Sequence, residues 1–137
     1  MLNPVPQDQL YGLWPWVRNG LEAVRAKTAE RWLAEEIYSI LRVNGAYLYT
    51  VEVCDDDVGF VIVQQHNDPD GPCLFIWALW IEPGVGKTIE DGLYEDLEVL
   101  ARRIKARRIR MHSPRKGWEQ RGFFMPVSTI YEREVGL

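Results

Sequence analysis

Hydrophobic residues recur at helical spacing through the first 45 positions of the chain. Over residues 7–25 they fall three or four positions apart, which predicts an amphipathic helix with Pro15 near its first turns. A second helix is expected to begin at Thr28, with Glu30 in its first turn, and to stop at the Asn-Gly pair of residues 44–45. The chain therefore opens with two helices.

Beyond residue 45 the helical spacing gives way to alternation. Residues 47–53 alternate between two faces, and the stretch CDDDVG turns the chain into a second apolar segment, VGFVIVQQ. These two segments predict a β-hairpin. A polar loop at residues 66–72 leads into CLFIWALWI, which is apolar on both alternating faces. Such a strand is typical of the centre of a sheet that is covered on both sides.

A third amphipathic helix follows this strand. Thr88 and Asp91 have the spacing of a capping box at its start. One apolar stripe runs along it and consists of Ile89, Leu93, Leu97, Leu100, Ala101 and Ile104. A strand is expected around residues 108–112 and a last strand near residues 127–135. The sequence thus predicts one α/β domain over residues 1–137, with two helices in 1–45 and the sheet, loop-helix and C-terminal strands in 46–137.

Composition restricts the class of protein. The chain is 47% hydrophobic with a net charge of only -4, which excludes a disordered segment. No apolar run approaches the ~18 residues of a membrane span, and the N-terminus lacks the layout of a secretory signal, so we expect no span and synthesis in a cytoplasm. Cys54 and Cys73 cannot form a disulfide framework or a Cys-x-x-Cys metal site, and we expect buried thiols on strands.

The stretch IEPGVGKT at residues 81–88 is close to a Walker A phosphate loop. Gly86, Lys87 and Thr88 match its last three fixed positions. Ile81, however, stands where the first glycine is required, and a β-branched residue disfavours the backbone conformation of that glycine. No later strand ends in the acidic residue that would support a magnesium ion. These mismatches argue against an ATPase or GTPase.

The order of the predicted elements, and above all the segment LWIEPGVGKTIEDGLYEDLEVLARRIKARRIRM, resembles the GCN5-related N-acetyltransferase (GNAT) fold. The resemblance covers roughly residues 30 to 135. It implies a mixed, mostly antiparallel sheet with helices on both faces. It also implies acetyl-CoA as cofactor, bound by a loop at a helix N-terminus and by backbone at the end of the central strand.

The resemblance assigns cofactor-binding residues. The pantetheine-pairing strand end would consist of Leu79, Trp80 and Ile81. The pyrophosphate turn would consist of Gly84, Val85, Gly86, Lys87 and Thr88. The loop departs from the family pattern, because the usual Arg or Gln is missing and because Thr88 and Glu90 stand where glycines align. We expect Glu90 to face the diphosphate and to weaken its binding, with Lys87 offsetting part of this repulsion.

The residues for proton transfer also depart from the family. Trp118 stands near the position where many members have a Tyr as general acid, and an indole N–H does not titrate in a useful range. Glu82 is a candidate base at the strand end. His66 and His112 have no His or Cys partner at ligand spacing, so no metal site is predicted. The catalytic residues are unknown at this stage.

Two functions follow from these resemblances. The segments LYGLWPWVRNGLEAV, VGFVIVQQ and the short link from SPRKGW to GF look like small GNAT-like bacteriophage proteins. This implies a structural or internal virion protein without catalysis or cofactor. It would contact other virion or assembly proteins during particle assembly or genome delivery, first in the host cytoplasm and then in the virion. The alternative is a cytoplasmic, acetyl-CoA-dependent N-acetyltransferase that acts on an amine.

The surface offers two candidate contacts. Eight of the sixteen Lys and Arg lie between Ala101 and Trp118 with no acid among them. A DNA contact is predicted through Arg102, Arg103, Lys105, Arg107, Arg108 and Arg110. The simpler interpretation is that the helix dipole favours bases at a helix C-terminus. Trp14 and Trp16 flank Pro15 and cannot both face one side of a regular helix, so one of them is expected to anchor a partner.

Overall fold

Three helices and five strands form in the part of the chain that the computed structural model describes, which comprises residues 1–28, 30–113, 123–127 and 131–136. In chain order they are β1 (Leu2–Pro4), α1 (Gln7–Lys27), α2 (Ala34–Arg42), β2 (Tyr47–Val53), β3 (Asp56–Asp68), β4 (Gly71–Ile81), α3 (Gly86–Arg103) and β5 (Arg108–Met111). None of the described helices is both long enough and apolar enough to cross a bilayer.

The strands form one sheet in the order β1-β2-β3-β4-β5. The first four are joined antiparallel, and β5 returns parallel to β4 after the crossover through α3. A parallel neighbour requires such a crossover, because a tight turn reverses the strand direction. The predicted mixed, mostly antiparallel sheet is confirmed.

Both faces of the sheet are covered. On one face, α1 and α2 pack Leu21 and Ile37 against Phe60 of β3, within one buried cluster. On the other face, the apolar stripe of α3 packs against alternate residues of the same strands, with Leu97 beside Val61 in a second cluster. The sequence predicted this stripe correctly. Burial of β4 from both sides explains its continuous apolar pattern.

The second helix begins later than predicted. Thr28 is the C-cap of α1 in extended conformation, and its N–H donates to the carbonyl of Arg25 at 3.4 Å. The chain remains non-helical until Leu33 caps α2, so the predicted start at Thr28 is wrong. The apolar stripe of α1 continues to Val24, and the helix ends at Lys27, so Thr28 follows α1 and does not begin α2.

The predicted stop of α2 is confirmed. Asn44 takes a left-handed conformation (φ 58°), and the Gly45 N–H donates to the Ile40 carbonyl at 2.9 Å. The Asn44 N–H donates to the Leu41 carbonyl at 3.2 Å. These two bonds form a Schellman motif, which satisfies carbonyls at the helix end.

Tight turns connect β2 to β3 and β3 to β4, where the sequence predicted a hairpin turn at CDDDVG and a polar loop at residues 66–72. Cys54 and Asp55 both have positive φ (52° and 66°) and connect β2 to β3, the conformation of a type I′ turn. Cys54 is therefore exposed, and its predicted place on a strand is wrong. Cys73 is buried in β4 as expected, and burial raises the pKa of its thiol. The predicted loop at 66–72 shrinks to two residues, because Asp68 pairs with Gly71.

The start of α3 and the C-terminal strands also differ from the predictions. Val85 is the N-cap of α3, and the Thr88 hydroxyl donates to the Val85 carbonyl at 2.8 Å, so the predicted capping box is wrong. The strand expected at 108–112 ends at Met111. Of the predicted last strand, the described residues 127 and 131–135 are not in a strand, and 128–130 lie outside the described residues.

Two ion pairs join the β3–β4 turn to β5. Arg110 donates to both carboxylate oxygens of Asp68, at 3.3 and 3.0 Å, and Arg108 donates to Asp70 at 2.6 Å. The hydrogen bonds to Asp68 raise the pKa of Arg110, and the hydrogen bond from Arg108 lowers the pKa of Asp70. We call these two pairs the Asp–Arg clasp. It fastens β5 to β4 at the end where both strands begin.

The packing of α1 depends on Gly20. A Cβ added there would lie 2.9 Å from the ring carbon Cζ of Phe60 and 3.0 Å from Cδ2 of Trp80, closer than side chains pack. We predict that Gly20→Ala lowers the free energy of unfolding by about 1 to 3 kcal/mol, because α1 must move from the sheet. Chemical denaturation measures this loss.

Gly12 of the same helix is the matched control. A Cβ there would meet no atom within 4 Å, so Gly12→Ala should raise the free energy of unfolding by about 0.5 to 1 kcal/mol. An unchanged or raised stability in Gly20→Ala would contradict the packing described for α1.

The clasp gives a second prediction. Asp68→Asn removes the charge from a bidentate, partly buried pair, and we expect a loss of about 1 kcal/mol in unfolding free energy. Glu98→Gln breaks the more exposed Arg102–Glu98 pair within α3 and should cost at most about 0.5 kcal/mol. Equal losses in the two variants, measured by denaturation at neutral pH, would show that the clasp stabilises the fold no more than an exposed ion pair does.

Candidate functional site

Strand β4 continues beyond the end of its pairing with β5. It pairs with β3 along its whole length, but with β5 only through residues 73–76. Residues 77–81 have no strand on their other side within the described part of the chain. We call residues 77–81 the open edge. Backbone N–H and C=O groups along such an edge can pair with an extended ligand, as they would with a further strand.

A β-bulge marks the start of the open edge. Ala78 pairs with Ile62 and Ile76 pairs with Val63, so Trp77 has no opposing residue on β3. Trp77 and Ala78 consequently both pack toward α1 and α2, instead of alternating between the faces. A bulge bends the strand that carries it. The bend occurs where β5 ceases to accompany β4.

The residues after β4 form a turn that leaves space beside its two glycines within the described part of the chain. The Glu82 N–H donates to the Val58 carbonyl at 2.7 Å, which holds the start of the turn to β3. Gly84 has a φ of 89°, a conformation that side chains rarely adopt. A Cβ added at Gly84 or Gly86 would meet no atom within 4 Å. An anion can therefore approach the backbone here closely.

The N-terminus of α3 faces this turn. The first residues of a helix have N–H groups without helical partners, and the helix dipole favours negative charge there. Gly86 and Lys87 are the first two residues of α3, and the Lys87 side chain is exposed. The Thr88 N–H differs, because it already donates to the Val85 carbonyl at 3.1 Å. The anion-binding capacity thus lies in the first two amides and in the Lys87 charge.

The structure brings the predicted strand-end and turn residues into one continuous path. Leu79 and Ile81 pack toward α3, whereas Trp80 packs toward α1 against Trp16 and Phe60, with ring centroids 5.7 and 5.8 Å away. The path leads along the open edge, through the turn, to the N-terminus of α3. The role of these residues as cofactor ligands stays a prediction.

Glu90 has a partner that the sequence did not reveal. The Tyr94 hydroxyl, one turn further along α3, donates to its carboxylate at 2.7 Å. Tyr94 also stacks on Phe123, with ring centroids 4.2 Å apart. Part of the Glu90 charge is therefore engaged on the flank of α3. An i, i+4 spacing is the only signal in the sequence that could have suggested this pair.

The other candidate residues have different surroundings. His66 stacks on Phe75 at 4.4 Å between ring centroids, and His112 meets the same ring edge-on at 5.1 Å. The described residues contain no group of three His, Cys, Asp or Glu that could hold a metal. Glu82 is exposed at the end of β4. Trp118 lies outside the described residues.

Trp14 and Trp16 both pack inside the fold. Trp14 contacts Tyr38 of α2 with ring centroids 4.7 Å apart, and Trp16 contacts Phe60 of β3 at 5.7 Å. The two half-buried rings contact different elements, α2 and β3, so each has a partner within the fold although they do not share one side of α1. A partner anchored by either residue stays a prediction.

No protein-family model matches the sequence, and a search of the curated proteins finds no match. Solved structures do resemble the fold. A probable acetyltransferase has 14% identity and a TM-score of 0.69, and the alignment covers 100% of this chain and 97% of that one. A ribosomal-protein-alanine N-acetyltransferase from Brucella melitensis biovar Abortus 2308 has 18% identity, a TM-score of 0.67 and 99% coverage of both chains.

A third structure is that of a predicted acetyltransferase from Clostridium acetobutylicum, described with acetyl-CoA. It has 14% identity and a TM-score of 0.68, and the alignment covers 98% of this chain and 96% of that one. At these identities the comparisons establish the fold alone. The chain therefore has the α+β fold of the GNAT acetyltransferases, with a five-stranded mixed sheet.

Proposed function

We propose that the chain binds acetyl-CoA and transfers its acetyl group to an amine. One observation carries the proposal: the open edge of β4 runs without interruption into an unobstructed turn at the N-terminus of α3. An extended amide chain that ends in a pyrophosphate matches both parts of this path. The similar fold of a structure described with acetyl-CoA supports this choice of ligand.

The residues present fit the two halves of the cofactor. The amides of Gly86 and Lys87, the helix dipole and the Lys87 ammonium would hold the pyrophosphate. The backbone of the open edge would pair with the amides of the pantetheine arm. The expectation that no cofactor binds rested on the missing Arg or Gln and on Thr88 and Glu90, and the open backbone at Gly84 and Gly86 does not support it.

When bound, acetyl-CoA supplies a thioester whose acyl carbon an amine can attack. The contribution of the chain would be to hold the thioester along the open edge. Glu82, exposed at the end of the open edge, is the carboxylate that we assign to accept the proton of the attacking amine.

The alternative is the non-catalytic virion or assembly protein. It rests on loose sequence resemblances, and none of the structural neighbours described above is a virion protein. Its contacts with other virion proteins and its location in the host cytoplasm and particle stay predictions. Calorimetry with acetyl-CoA separates the two functions, because the non-catalytic protein would give no binding heat.

Titration calorimetry with acetyl-CoA tests the binding site. We expect a micromolar dissociation constant, weakened about tenfold or more by Lys87→Glu, because this change reverses a charge at the anion site. Lys27→Glu is the matched control at the exposed C-terminal end of α1, and it should bind as the parent does. A parent protein that gives no binding heat would refute the proposal.

A second ligand locates the effect of Lys87. Acetyl-pantetheine lacks the pyrophosphate, so we expect it to bind more weakly than acetyl-CoA and with the same affinity in the parent and in Lys87→Glu. Gly86→Val should weaken acetyl-CoA alone, since its branched side chain covers the outer face of the turn. Equal weakening of both ligands would contradict the assignment of this turn to the pyrophosphate.

The proton-transfer role of Glu82 has its own test. We expect Glu82→Gln to slow the release of coenzyme A thiol to amine acceptors about 100-fold, without changing the dissociation constant for acetyl-CoA. Thiol release is followed by a chromogenic disulfide, and binding by calorimetry. Unchanged thiol release would remove Glu82 from the mechanism while leaving the binding proposal intact.

A further inference from the structure

A cleft lies near the C-terminal end of α3, whereas the turn described above lies at its N-terminal end. It has a volume of about 280 Å³, and three arginines line it together with two aromatic rings. The arginines are Arg102, Arg107 and Arg108, and the rings are those of Phe123 and Phe124. We call it the basic cleft. Its lining residues on α3, from Glu98 to Arg102, are 12 to 16 residues beyond Gly86, which at 1.5 Å per residue places the cleft about 18 to 24 Å along the helix from the proposed pyrophosphate site.

The charges of the basic cleft are only partly neutralised. Arg102 pairs with Glu98, which also lines the cleft, at 3.0 Å. Arg108 pairs with Asp70 at 2.6 Å. Arg107 is exposed and forms no ion pair among the described residues. An excess of positive charge therefore remains here, in a chain whose net charge is -4.

The structure narrows the basic segment that the sequence suggested. Arg110 is engaged by both oxygens of Asp68, and Arg103 lies close enough to Tyr49 of β2 to lower the pKa of its hydroxyl, although burial raises that pKa overall. Neither residue lines the cleft. Contact through all six basic residues of the segment at once is thus not supported by their positions.

The turn between α3 and β5 contains a strained lysine. Lys105 has a φ of 58°, and the Ala106 N–H donates to the Ala101 carbonyl at 2.8 Å. Lys105 therefore holds the left-handed position of a Schellman motif, which glycine usually occupies. A lysine in this position costs conformational energy. Lys105 does not line the cleft, so its charge acts on a ligand there only at longer range, and its effect on binding should be smaller than that of Arg107. Strain at such a position is a reason to look for a function.

We propose that the basic cleft binds single-stranded nucleic acid. The guanidinium groups would contact phosphates. The two rings are half-buried and pack on Tyr94 and on each other, so their exposed parts would contact an unpaired base. This combination of cations and aromatic rings is how proteins hold single strands without reading their sequence. The aromatic rings favour this partner over an acidic protein face, which would need the cations alone. The proposal does not depend on acetyl-CoA binding.

Fluorescence anisotropy with a short labelled oligouridylate tests the proposal. We expect binding whose affinity falls with salt at a logarithmic slope of about −2, since three arginines contribute about −0.7 each on a single strand. Arg107→Glu should weaken binding about tenfold or more. Arg42→Glu, an identical charge change at the exposed C-terminal residue of α2, should leave binding nearly unchanged.

The strained lysine provides an independent readout. Lys105→Gly should raise the melting temperature, because glycine adopts this φ without strain, and should weaken oligouridylate binding. Asn44→Gly is the matched control at the corresponding position of α2, where φ is also 58°. It also removes the hydrogen bond from the Gln7 side chain to the Asn44 side chain at 2.9 Å, so it serves as a control for affinity, which should not change.

Several results would overturn the proposal. They are no binding by the parent, no effect of Arg107→Glu, or an equal effect of Arg42→Glu, which would show a response to net charge only. Equally tight binding of a duplex of the same length would exclude a role for unpaired bases. Displacement of the oligonucleotide by excess acetyl-CoA would show that it occupies the cofactor site instead.

Discussion

The backbone hydrogen bonding of β4 is the constraint on which the rest of the structure depends. This strand has eleven residues, whereas its parallel neighbour β5 has four. Strand β5 therefore pairs with β4 only at residues 73–76, and the edge of β4 is open from Trp77 to Ile81 within the described residues. The bulge at Trp77 falls at the boundary between these parts. We propose that a ligand with backbone-like groups completes the sheet there.

Packing and charge hold this arrangement from several sides. Trp80 packs on α1, where Gly20 permits close approach, and Leu79 packs toward α3 on the other face. The Asp–Arg clasp fixes β5 at the far end of β4. Helix α3, which connects β4 to β5, also places its N-terminus at the end of the open edge. The site that we propose for an extended anionic ligand thus follows from how the sheet is built.

The spacing of apolar residues predicted those helices and strands whose pattern depends on which side chains are buried. The two-sided burial of β4 and the stripe of α3 are visible in the sequence, because each follows a fixed spacing. The bulge at Trp77 is not visible, since it depends on register with β3. Lys105 in a left-handed conformation breaks the rule that glycine marks such positions. The loop is a different case: Thr88 and Glu90 depart from the family pattern in the sequence, whereas the space beside Gly84 and Gly86 can be seen only in the structure.

The most direct test of the central claim follows backbone amide NMR signals during titration with acetyl-CoA. The account predicts that the largest shifts occur along the open edge, from Trp77 to Ile81, and at Gly84, Gly86 and Lys87. The amides of Arg107 and Arg108 in the basic cleft should shift little. Shifts confined to the basic cleft, or no shifts at all, would contradict the claim that β4 and the N-terminus of α3 form one cofactor site.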